Sequence, residues 1–175
     1  MLHTALTPVF VGLRTGLHIL FAALTILVIA RAVPVPTDTS IAAISLAIVL
    51  LATYAVGAIA ARATRRPRTA GALWLGALTL EWVVLLWLTP EAAYLVFPLF
   101  FLYLHLLGQW WGSAAIVVST LIAICALGIH SGWSVGGVVG PIVGAGVALL
   151  IGLGYQALAR EVRVQQRRLH EGVLG

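Results

Sequence analysis

Along the chain, long apolar stretches alternate with short polar breaks, and neither a strand-like period of two nor a soluble-helix period persists through them. A helix crosses the roughly 30 Å hydrocarbon core of a bilayer with about 20 apolar residues, at about 1.5 Å each. On that measure the pattern predicts six spans. The first runs from Thr15 to Val33 and stops at Pro34 and Pro36. The second runs from Ser40 to Ala61, after the polar turn Thr37-Asp38-Thr39. A break rich in arginine (Arg62, Arg65, Arg66, Arg68) precedes the third, Ala70 to Leu88, which ends at Thr89-Pro90. The fourth extends from Glu91 to Leu107, the fifth from Trp111 to Ile129, and the sixth from Ser134 to Tyr155. Beyond it the chain stays helical in pattern but becomes polar. The expected fold is all-α: a transmembrane bundle of about six helices over 1–155, with a cytoplasmic helical extension over 156–175.

Composition fits that picture. Of the 175 residues, 62% are hydrophobic and 9% charged. A soluble domain carries about 25% charged residues to keep its surface wet. A water-soluble globule is therefore excluded.

The net charge of +5 would suit nucleic acid, but its distribution does not. All ten basic residues are arginines, set in short clusters between apolar runs rather than along one stripe, so no nucleic-acid partner is expected. With six alternating spans, the N-terminus, the 62–68 break, the 108–110 turn and the tail share one side. That side holds Arg14, Arg62, Arg65, Arg66, Arg68, Arg160, Arg163, Arg167 and Arg168, and the other holds Arg31. Arginine accumulates on cytoplasmic loops, which places both termini inside. An odd number of spans would divide the clusters between the two faces. Ala30-Arg31-Ala32 also reads as a signal-peptide cleavage pattern, but the long apolar stretch and the spans after it favour a retained helix. Trp74, Trp87, Trp110, Trp111 and Trp133 fall near span ends, where an indole suits the headgroup region. The lone Cys125 lies within an apolar run and offers neither a disulfide nor a thiolate cluster.

Chemistry has few candidates. Glu81 sits near the middle of the third span, where a charged side chain costs about 2.5–3.5 kcal/mol on insertion scales. It should be neutral, paired or facing a cavity. Either it responds to protons or contacts a ligand, or it is a protonated acid bonded to a neighbouring helix. His18 and His105 lie at matched depth in spans one and four and could ligate haem or a metal, though ordinary interhelical hydrogen bonds satisfy them as well. His130 falls at the outer interface. No resident cofactor or metal is expected.

Gly136, Gly140, Gly144, Ala148 and Gly152 recur every four positions on the last span, so one face lets another backbone approach closely. Span five offers the shorter strip Ala115, Ser119 and Ala123. The two strips either pack on each other within one chain or form a homodimer face. Pro98 and Pro141 are candidate kinks. In the tail, Tyr155, Val162 and Leu169 are seven apart, with Leu158 and Gln165 between them, which makes a short heptad seam. The same segment also reads as a basic amphipathic helix on anionic lipid.

The stretches FPLFFLYLHLLGQWWG (97–112) and GIHSGWSVGGVVGPIVGAGVALLIGLGYQALARE (128–161) resemble the membrane-sensor region of DesK/NarL-type bacterial sensor histidine kinases. Over 1–96 the likeness is one of span count and loop charge. The resemblance implies a plasma-membrane input module, homodimeric, whose last span leads through a coiled linker to a kinase. A cytoplasmic response regulator becomes a partner only if a kinase domain follows. His170, next to Glu171, resembles the phosphoacceptor of that family. No Gly-rich nucleotide lid or Asn-bearing box is present, so these residues alone do not catalyse phosphoryl transfer. Two other readings stay open: a small transporter or channel built on Glu81, and a haem-binding membrane protein using His18 and His105.

Overall fold

A computed structural model of the chain describes residues 3–34, 37–63 and 68–173. Every regular element in them is helical: α1 (His3–Ala32), α2 (Asp38–Ala63), α3 (Arg68–Leu88), a 3₁₀ helix (Pro90–Leu95), α4 (Val96–Ser131) and α5 (Val135–Val173). Five segments are long and apolar enough to cross a membrane: Thr15–Ala32, Asp38–Ala60, Thr69–Leu88, Pro90–Ser131 and Val135–Gly154. The chain is thus a multi-pass membrane protein by length and composition.

The polar breaks act as caps. Thr37 Oγ1 accepts the Ser40 backbone N–H at 3.2 Å, and Asp38 stands in the first turn of α2, where a negative charge meets the helix dipole favourably. Ser134 does the same for α5, accepting the Gly137 N–H at 3.1 Å. Pro90 opens the 3₁₀ helix, so the α-helix predicted from Glu91 begins only at Val96. Pro98 then lies in the first turn of α4, where its missing N–H costs no helical bond, and the kink expected there is not needed. Pro141 does stand inside α5.

Within α4, Gly108 has φ 79° and ψ −172°, a backbone that side-chain-bearing residues rarely adopt. There the helix folds back on itself. A Cβ placed on Gly112 would lie 2.8 Å from the carbonyl oxygen of Tyr103 and 2.9 Å from Cα of Leu104. Ser119 Oγ donates to Tyr103 Oη at 3.3 Å, although sixteen residues of straight helix would set them about 24 Å apart. The first arm (96–107) and second arm (109–131) therefore form a hairpin closed by the Gly112 contact.

Helices α1, α2, α3 and α4 pack in sequence order, the 3₁₀ helix wedges between α1, α3 and α4, and α5 packs on α4 alone among the described elements. The core runs through Phe21, Leu50, Leu78, Trp82, Leu99 and Ile116. Trp110 and Trp111, expected near the headgroups, follow the turn at Gly108 and are 85% and 76% exposed. Trp74 departs from that expectation: its indole turns inward and donates to the Thr53 carbonyl at 2.8 Å.

Candidate functional site

Among the polar contacts that cross the apolar bundle, two meet on hydrogen-bonding side chains of α3. The first joins α3 to α2. Thr53 Oγ1 donates to Glu81 Oε1 at 2.9 Å, while Glu81 Oε2 is buried without a hydrogen-bond partner. The carboxyl is thus held on one oxygen only. No arginine forms an ion pair with it among the described residues. Aromatic rings stand beside Thr53, whose carbonyl takes the Trp74 indole N–H. The Trp74 ring fills the notch left by Gly57, and Tyr54 stacks on Phe21 with centroids 4.0 Å apart and planes at 9°. Tyr54 Oη also meets His18 Nδ1 at 2.7 Å, which joins α1 to the cluster. His18, expected as a ligand or an interhelical hydrogen bonder, is therefore engaged with a tyrosine.

The second link joins α3 to both arms of α4. Tyr103 Oη lies 3.0 Å from Thr79 Oγ1 and accepts from Ser119 Oγ at 3.3 Å. Buried Tyr103 is the shared member. Its neighbour Leu104 projects the other way, into the space over Gly152 on α5, and Phe97, two turns earlier, fills the space over Gly144. Two of the five small residues, Gly144 and Gly152, thereby face the first arm of α4 rather than Ala115, Ser119 and Ala123. Ala148, between the two glycines, is buried. Gly136 and Gly140, at the N-terminal end of the strip, have open space where a Cβ would stand.

His105 is exposed on the first arm of α4, and no hydrogen bond or ring contact joins it to His18. No group of three or more His, Cys, Asp or Glu capable of holding a metal occurs among the described residues. His130 lies 3.0 Å from the Leu86 carbonyl through Nε2, joining the C-terminal end of the second arm to α3. His170 falls within α5, and its side chain lies outside the described residues, as do those of Arg14, Arg62, Arg65, Arg66, Arg68, Arg160, Arg163, Arg167 and Arg168.

Thr53, Tyr54, Thr79 and Tyr103 were not singled out by the sequence. Their signal was present: hydroxyl groups inside apolar spans, at depths where an antiparallel neighbour also carries a polar residue. Tyr103→Phe removes the shared hydroxyl and leaves the ring. It is expected to destabilise the bundle by about 0.6–1.7 kcal/mol, the span found for interhelical hydrogen bonds in lipid. Reversible unfolding in mixed micelles measures this, and Thr79→Val combined with Tyr103→Phe should cost less than the two separate losses summed.

Compared with known protein families, curated proteins and solved structures, the chain shows no match.

Proposed function

We propose that the chain is the membrane input module of a two-component sensor histidine kinase, and that it passes a change in bundle packing to the cytoplasm through α5. One observation carries this reading. α5 is a single helix of 39 residues, about 58 Å long, against a hydrocarbon core of roughly 30 Å. About half of it continues past the membrane without a break, so any shift within the bundle is delivered outside it. Because α5 packs on α4 alone, it can move without unpacking α1 to α3.

A continuous set of contacts leads to it. Thr79 on α3 meets Tyr103, Leu104 follows Tyr103 on α4, and Leu104 sits over Gly152 on α5. In this reading the two arms of α4 are separate crossings. The spans then number six, both termini lie on the cytoplasmic side of a bacterial plasma membrane, and two copies pair through the 155–169 seam. Glu81, His105 and the Gly136–Gly152 face are where a stimulus acts or movement occurs.

The test is disulfide mapping. With Cys125 first replaced by Ser, single cysteines are placed along 155–169 in membranes holding the full chain. Cross-links should recur every three to four residues, as in a paired helix. In a Gly152→Val background, which displaces α5 from Leu104, the preferred positions should shift by one or two residues. Absence of cross-linking at every position, or an identical pattern in both backgrounds, would overturn the reading.

A further inference from the structure

Several buried polar side chains of the bundle have partners: Thr25 and Thr120 bond the carbonyl one turn back, Tyr103 has Thr79 and Ser119, and the Trp82 indole has a carbonyl. Glu81 Oε2, by contrast, is buried with no hydrogen-bond partner. An ionised carboxylate only accepts hydrogen bonds. With Oε2 facing no donor, the ionised form would hold a charge in apolar surroundings with half its acceptor capacity unused. Adding one proton to Oε2 removes that charge and turns the same atom into a donor, which carbonyls of its own helix can accept. Thr53 can keep its bond to Oε1 in both states.

We infer that Glu81 is a proton-exchange site, and that proton uptake at Oε2 is the input this bundle reads. The second half of that statement rests on the signalling role proposed above. The step is simple: a proton from water adds to Oε2, the carboxylate becomes a carboxylic acid, and nothing else is consumed.

Among the described residues no charged partner for it is found. On α2 the group that meets it is Thr53, and the adjacent Tyr54 turns to His18. On α4, Tyr103 is held by Thr79 and Ser119, His130 by the Leu86 carbonyl, and His105 and Cys125 are exposed. In the 3₁₀ helix, Glu91 is bonded by Thr89, and Tyr94 is exposed. Asp38 is exposed at the far end of α2. Loss of the proton calls for a donor that these elements do not present, so water must enter or α2 and α3 must part. Thr79, two residues away on the opposite side of α3, carries that movement to Tyr103.

Infrared difference spectroscopy on the full chain in lipid nanodiscs tests this, comparing acid with alkaline buffer. A carboxylic C=O stretching band should appear in acid, shift in D₂O and be lost in Glu81→Gln. Thr53→Val, which takes a hydrogen bond from the carboxyl, should move the band to higher frequency and keeps a chain in which Glu81 itself is intact. The proposal is overturned if no Glu81-dependent band appears at any pH, or if the band is the same in both buffers. The cross-link pattern along 155–169, read in the same two buffers, separates the two claims. A titrating Glu81 band with an unmoved pattern leaves the proton site standing and removes the signalling role.

Discussion

Gly112→Leu should unfold the hairpin of α4, the largest loss expected from any single glycine in the bundle. The reason is what a side chain would strike. The three atoms nearest a Cβ at this position, at 2.8, 2.9 and 3.0 Å, all belong to the backbone of Tyr103 and Leu104. Backbone cannot rotate out of the way, so the two arms must separate. Inserting methylenes into a packed core costs about 1–3 kcal/mol even where side chains can shift, and more where they cannot. Separation would also break Ser119 from Tyr103, adding the loss of an interhelical hydrogen bond.

Gly152→Ala is milder, because its close neighbour is the flexible end of Leu104. Gly136→Ala and Gly140→Ala meet open space and should stay within about 0.5 kcal/mol of the parent. Denaturant titration in micelles, read by tryptophan fluorescence, orders the four variants. If Gly112→Leu were as stable as Gly140→Ala, the hairpin contact would be wrong.

That ordering was not legible in the sequence, which treats Gly112 as one small residue among many. Hydropathy located the apolar stretches well, because membrane insertion depends on summed transfer energy and not on which helix meets which. The break near 108–110 was visible as well, in Gly108 followed by Gln109 and two tryptophans. Faces were not. In lipid every face of a span is apolar, so the periodicity that reveals the buried side of a soluble helix is lost. The small-residue strip of α5 was therefore left between span five and a second copy as its partner, while Gly144 and Gly152 receive Phe97 and Leu104 of the first arm.

The site was legible in part, for the same reason. A lone carboxylate in a span is conspicuous by its cost, so Glu81 stood out. Thr53 and Thr79 carry little cost, since each hydroxyl can bond within its own helix, and only tertiary structure shows that they bond across. The 3₁₀ helix at Pro90–Leu95 was read as the start of a span because its alanines and leucine are as apolar as the helix after it.

That short helix is what makes Trp82 the other position of large effect. Trp82 is fully buried, and its Nε1 donates to the Ala92 carbonyl at 2.9 Å, pinning the 3₁₀ segment to α3. α1 packs on the same segment, so this one indole holds three elements together. Truncation to alanine in a core costs about 3–5 kcal/mol. In a bilayer the low end applies, about 3 kcal/mol, because lipid tails are as apolar as the core and only lost packing and a cavity remain.

Trp82→Phe separates the two contributions. It keeps most of the ring volume but leaves the Ala92 carbonyl without its donor, and an unsatisfied buried group costs about 1–3 kcal/mol. Phenylalanine should therefore fall between the parent and alanine, and Trp87→Ala, at an exposed position on the same helix, should change stability by less than about 0.5 kcal/mol. Hydrogen exchange over 90–95 gives the local reading. Both Trp82 variants should speed it, since the segment loses its tether in each, while exchange in α2 stays as in the parent. If Trp82→Phe matched the parent in stability and in exchange, the indole would be filling space rather than holding the segment.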